Sequence, residues 1–274
     1  MVTLSTADRF LGSLLGTYLG HSYVNQHPWN CLQTKDSQLY QSWLQDMQQD
    51  PPPGPTGLDF SPAIALPWFL YHHADHRTRH GWIAQTLAAD ALPQASHATV
   101  LMYCLGDSLE WLMQCPRTVQ HPLPLLCEHL QRQIPTYPPG VVSQVNQLIA
   151  WLAPEPAKQS AILSPSTATS PLHSISPLEA DVPMAAMALA IRQCLNYREN
   201  LALALTGQSG QPIPTIIGCL MGAWGGAAVI PTPWIMSLSP ESRQHLRHIV
   251  QHLYRHWAGI RCLGNTAETL PLDL

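Results

Sequence analysis

An all-α fold is the class this sequence predicts, and three observations carry the prediction. Apolar residues recur three and four apart through most of the 274 residues, the period of helices with one buried face. No stretch alternates apolar and polar residues over the length of a strand. Two segments, Gly12-Gly16-Gly20 and Gly218-Gly222-Gly226, space their glycines four apart, which lines them up along one side of a helix.

The first helix is expected over 8–24, with Phe10, Leu14, Leu15, Tyr18 and Leu19 on its apolar face. Its glycine ridge admits another backbone at close range. The polar start (Ser5, Thr6, Asp8, Arg9) reads as a helix cap, and neither a basic leader nor a cleavage site marks a signal peptide. Leu39, Trp43, Leu44 and Met47 suggest a short second helix, closed by the breaker loop "QQDPPPGPTG" at 48–57. Further helices are expected over 62–73, 81–90, 98–114, 121–134, 140–152 and 183–204.

"YHHADHRTRH" (71–80) places His72 and His76 four apart with Asp75 between them, but lacks the Glu of an HExxH metal site. It reads as the solvated C-terminal end of a helix, where cationic side chains suit the dipole. The Pro-, Ser- and Thr-rich run 153–183 reads as a long irregular loop or linker. Since 184–274 alone would be small and very apolar, one domain over 1–274 is expected, with both chain ends packed together. The last helix, 239–260, has Ser239 as cap and Pro240 at its first position. Leu246, Ile249, Val250, Leu253, Trp257 and Ile260 form its buried stripe. His245, His248, His252 and His256 flank that stripe without a carboxylate or thiolate among them, so they read as a polar flank rather than a metal site.

Composition narrows the function classes. Charged residues make up 11% of the chain, against about a quarter in average proteins, and the net charge is −4. No basic footprint for nucleic acid exists. So weakly charged a surface repels poorly, which points to self-association or a protein partner. Seven scattered cysteines form no CxxC pair, and several sit within apolar helical patterns; they are expected to be reduced and structural, in a cytoplasmic protein.

From Leu201 to Pro240 there is no charged residue, which raises the question of a membrane span. Crossing the hydrocarbon core takes about 20 apolar residues, or roughly 30 Å. Prolines at 212, 214, 231 and 233 leave only 215–230, roughly 24 Å of helix, with four glycines and no basic flank. No membrane span is expected. A central buried helix is, with the glycine ridge of the first helix as partner for Gly218, Gly222 and Gly226.

Three stretches resemble the ADP-ribosylglycohydrolase family, which includes the dinitrogenase-reductase-activating glycohydrolases. "DRFLGSLLGTYLGHS" (8–22) resembles the family's opening helix, R-x-x-G-x-x-x-G-x-x-x-G-D-A. "DVPMAAMALAIRQCLNYRENLALALTGQSGQP" (181–212) resembles its late helix pair leading into G-G-D-S-D-T. "IIGCLMGAWGGAAVIPTPWIMSL" (216–238) resembles the following glycine-rich helix and its Ile-Pro-x-x-Trp exit, the most specific of the three. Together they cover about a quarter of the chain. The resemblance implies a compact orthogonal bundle of helices with a cleft lined by helix ends. In the family that cleft hydrolyses the glycosidic bond between ADP-ribose and a protein side chain, using two Mg²⁺ or Mn²⁺ ions held by carboxylates.

The departures from the family pattern fall on the metal ligands. Register from Gly218 puts Gln208-Ser209-Gly210-Gln211-Pro212 on G-D-S-D-T, so both aspartates and the threonine are replaced. The early T-D-D-T motif falls on Asp59-Phe60-Ser61-Pro62, and the Gly-Asp step of the first helix becomes Gly20-His21. Neutral Ser and Gln oxygens do not replace several carboxylates, so both metal ions are expected to be absent. The leading expectation is a catalytically inactive relative that serves as a binding, scaffold or regulatory module. Its cleft can take a small nucleotide-like ligand through His21, Asp59, Ser61, Gln208, Ser209 and Gln211. The alternative is an active ADP-ribosyl hydrolase with an altered, metal-independent site, in which Asp59, Asp75 or a nearby His acts as general base.

Overall fold

The computed structural model describes residues 4–23, 43, 62–89, 97–153, 182–208 and 212–259. Among these every regular element is a helix, and there is no strand. The order is α1 (Thr6–Tyr23), α2 (Pro62–Tyr71), α3 (His76–Ala89), α4 (His97–Gln114), α5 (Pro122–Gln133) and α6 (Pro139–Leu152). Then come α7 (Val182–Asn196), α8 (Leu201–Leu205), α9 (Ile213–Gly225), α10 (Thr232–Ser237) and α11 (Pro240–Trp257). The second short helix expected near 39–47, the loop 48–57 and most of 153–183 lie outside the described residues, apart from Trp43, which is helical and buried.

Local chemistry accounts for the helix starts. Ser5 and Asp8 cap α1 reciprocally: Ser5 N–H donates to the Asp8 carboxylate and Asp8 N–H to Ser5 Oγ, each at 3.1 Å. Proline opens α2, α5, α6 and α11, where its missing N–H costs no intrahelical bond. Ser239 Oγ accepts from Ser242 N–H at 3.0 Å, the cap expected for α11.

At the centre lies α9, buried from Pro214 through Gly225. Its 13 residues span about 20 Å, and no described helix is long and apolar enough to cross a membrane. Helix α1 lies across it, and α4 and α7 flank it. Helices α2 and α11 pack on α1, α3 rests on α4, and α5 and α6 extend the layer outward from α4 and α7.

The α1–α9 contact is a seam of backbone on backbone. A Cβ built on Gly16 would lie 2.1 Å from the Gly218 carbonyl oxygen, and one on Gly222 would lie 2.0 Å from that of Gly12. At Gly20 the obstacle is the Pro214 oxygen, also at 2.1 Å. No side chain fits at these positions, so the two ridges pair as their spacing predicts. Gly226 ends α9 with φ +65° and ψ −161°, a conformation nearly confined to glycine, and Gly12 packs directly against it.

Three expectations change. The helix expected over 183–204 breaks after Asn196, because the Asn200 side chain caps α8 by accepting from Leu203 N–H at 3.2 Å. Trp257 is 37% exposed rather than part of the buried stripe, although its ring packs edge-on at 6.2 Å from Phe10. The segment 71–80 is not a solvated helix end. It turns after Tyr71 and restarts as α3, with His73, Arg79 and His80 buried. The five described cysteines, Cys104, Cys115, Cys127, Cys194 and Cys219, are free and buried; Cys31 and Cys262 fall outside the described residues.

Candidate functional site

The seam fixes where the candidate ligand residues go. Because Gly20 sits on Pro214, the C-terminal end of α1, carrying His21, lies beside the N-terminal end of α9. Gln208 stands just upstream, half-buried after α8, with its N–H on the Leu205 carbonyl at 3.0 Å. The fold thus brings the His21 end of one helix to the first turn of another, at Pro214 and Thr215. Asp59, Ser61, Ser209 and Gln211 lie outside the described residues. Among the described residues no three His, Cys, Asp or Glu side chains are grouped to hold a metal ion.

The other two acids and bases named from sequence have local roles. Asp75 caps α3: its carboxylate accepts from Thr78 N–H at 3.1 Å and from Thr78 Oγ1 at 2.7 Å, and these bonds hold it below the usual carboxylate range. His72 packs on Trp68 with ring centroids 4.7 Å apart. Burial lowers its pKa to about 4, with Asp75 opposing and Arg79 reinforcing the shift.

Sequence reasoning missed the densest polar cluster, which joins α3 to α4. Arg79 is fully buried and uses its guanidinium as a fork. Nη2 donates to Asp107 and to Glu110, each at 2.6 Å, while Nη1 donates to the carbonyls of His72 and His73 at 2.9 Å. His80 Nε2 lies 3.0 Å from Asp107 Oδ1, and the Tyr137 hydroxyl donates to Oδ2. Burial alone would push Asp107 up. The His80 hydrogen bond, the charges of Arg79 and His80 and the Tyr137 hydroxyl together hold it at about 2. Burial and Asp107 push the neighbouring Tyr103 phenol up to about 12, and Tyr137 is raised for the same reasons.

Counting donors completes the cluster. Thr136 Oγ1 gives its one proton to the Gln133 carbonyl at 2.6 Å, so towards His80 Nδ1, 3.2 Å away, it accepts. Arg79 thus bridges the two buried acids, Asp107 and Glu110, and His80 adds a hydrogen bond to the first. Gly106, one residue before Asp107, makes the room: a Cβ there would lie 2.9 Å from Arg79 Nε. Asp107 has no solvent-exposed surface and both its oxygens are hydrogen-bonded, so the cluster clasps α3 to α4 and leaves this carboxylate no open position for a reacting group. The signal in the sequence was Asp107 and Glu110, three apart on one face of an otherwise apolar helix.

Fold and site together define an all-α protein with a glycine-seamed central helix and a closed buried ion cluster. Comparison of the chain with protein-family models, with curated proteins and with solved structures finds no match.

Proposed function

We propose that this chain is a catalytically inactive protein of the ADP-ribosylglycohydrolase type that serves as a binding module. The observation that carries the reading is the seam: two of the three stretches that carry the resemblance, 8–22 and 216–238, pack on each other glycine to glycine. That packing sets His21 beside the entry to α9, where the family pattern has a cleft lined by helix ends. The ligand class is a small nucleotide-like molecule, met by neutral or imidazole groups such as His21 and Gln208. Free buried cysteines favour a reducing, cytoplasmic setting. Low surface charge and the exposed side chains of Met236 and Leu203 favour an additional protein partner or self-association.

Calorimetry with ADP-ribose, with and without Mg²⁺ or Mn²⁺, tests the binding. Turnover of an ADP-ribosylated arginine or serine peptide tests the chemistry. Metal-independent binding that weakens in His21→Ala and Gln208→Ala, without release of ADP-ribose, is the expected result. Metal-dependent release of ADP-ribose overturns the reading.

A further inference from the structure

At the other end of α9 a cleft of about 170 Å³ opens where the turn after α4 meets the turn between α7 and α8. Trp224 of α9 lines it, ten residues from Pro214, about 15 Å along the helix from the His21 end. Arg117, Thr118 and Gln120 contribute from the first turn, Arg198 and Glu199 from the second. Trp224 is held in place by Trp111, its ring stacked at 6.0 Å.

The charges here are unbalanced. Arg117 is exposed, and neither it nor Arg198 forms an ion pair among the described residues; Arg198 gives one N–H to the Val119 carbonyl at 2.8 Å. Arg9 stands behind the wall, nearly buried. Its guanidinium donates to the carbonyls of Leu112, Ala223 and Cys115, the last two at 3.2 Å, with no carboxylate among its partners. Ala223 and Cys115 are next to Trp224 and two residues from Arg117, so the third cation lies behind the cleft's wall, near enough to Arg117 for their charges to repel. Burial disfavours the Arg9 charge, the Cys115 thiol opposes that, and Arg117 adds to it. Two guanidinium groups thus line the cleft with one carboxylate, Glu199, and a third stands behind its wall, in a chain whose net charge is −4. Carbonyl oxygens solvate Arg9 but do not neutralise it. An oxyanion in the cleft would pair with two planar forks that have N–H groups to spare and would lower the repulsion among all three cations.

We infer that this cleft binds a small oxyanion, the phosphate or carboxylate group of a small molecule, gripped by Arg117 and Arg198 with Thr118 and Gln120 as further donors. The site is independent of the ligand residues proposed around His21, and so is its test. The ¹⁵N-labelled full chain is titrated with inorganic phosphate and with malonate at constant ionic strength, with sodium chloride as the control. The readout is the Trp224 indole N–H resonance, assigned with Trp224→Phe. A saturable shift with one of the two oxyanions and none with chloride is expected, and the preferred oxyanion tells phosphate recognition from carboxylate recognition. Arg117→Gln, at an exposed position, should weaken binding about tenfold or more, as expected for one charge-assisted hydrogen bond. Glu199→Gln should tighten it. The inference is overturned by the absence of saturation with both oxyanions, by an equal response to chloride, or by an unchanged affinity in Arg117→Gln.

Discussion

Alanine in place of Gly16 and alanine in place of Gly81 should move stability in opposite directions. Both glycines sit within helices, so both substitutions gain the helix preference of Ala over Gly, about 0.8–1.0 kcal/mol. At Gly81, exposed on α3, a new Cβ meets nothing within 4 Å, and that gain should appear undiminished. At Gly16 the new Cβ would lie 2.1 Å from the Gly218 oxygen, whereas ordinary contact begins at 3.4 Å. The obstacle is backbone, so no side chain can rotate away and the helices must part by more than an ångström. Overpacking a core costs about 1–3 kcal/mol even where side chains can adjust, so a net loss of about 2 kcal/mol or more is expected here. Against a total stability of about 5–15 kcal/mol that is a large fraction. Urea unfolding followed by far-ultraviolet circular dichroism reads both variants on the same scale. Gly222→Ala should resemble Gly16→Ala, and the pair combined should cost less than the sum, because parted helices accommodate the second methyl. If Gly16→Ala proves neutral, or shifts the midpoint the same way as Gly81→Ala, the close seam is wrong.

The ion cluster and the half-buried His72 give three more expectations. Arg79→Met leaves Asp107 and Glu110 buried without their guanidinium and should cost about 3–5 kcal/mol in the same unfolding assay, whereas a loss below about 1 kcal/mol would contradict the clasp. Asp107 is held at about 2 when folded, against an ordinary 3.8, so its contribution is complete above pH 4 and is lost as the pH falls towards 2; Asp107→Asn should flatten that acid limb in a pH series of melting temperatures. His72 is lowered to about 4 from 6.5, so the unfolded chain binds its proton first; stability should fall as the pH drops from 6.5 to 4, less steeply in His72→Gln.

The seam and the clasp differ in how they can be read from sequence. Glycines four apart form a ridge on any helix, whatever else the chain does, so Gly12-Gly16-Gly20 and Gly218-Gly222-Gly226 announced both the helices and their pairing. Ser5 with Asp8, and Ser239 before Pro240, marked helix starts for the same local reason. Arg79 and His80 carried no such mark. On their own helix they looked like solvated cations, because their partners Asp107 and Glu110 lie 27 to 31 positions further on, on another helix. The break at Asn196–Asn200 was hidden differently: apolar spacing on both sides suggested one helix, and a single side-chain cap ended it.

By itself, then, the sequence determined the all-α class, most helix positions, the absence of a helix long enough for a membrane among the described residues, and the contact of α1 with α9. All of these follow from periodicity and capping, which act within a few residues. Only the tertiary structure decided which charges are buried and what neutralises them. It also decided that His21 stands beside the start of α9 and that Arg117 and Arg198 line one cleft. The physical reason is range. A hydrogen bond within a helix turn is written in adjacent letters, whereas the cost of burying a charge depends on which distant groups the packed helices bring within about 3 Å of it.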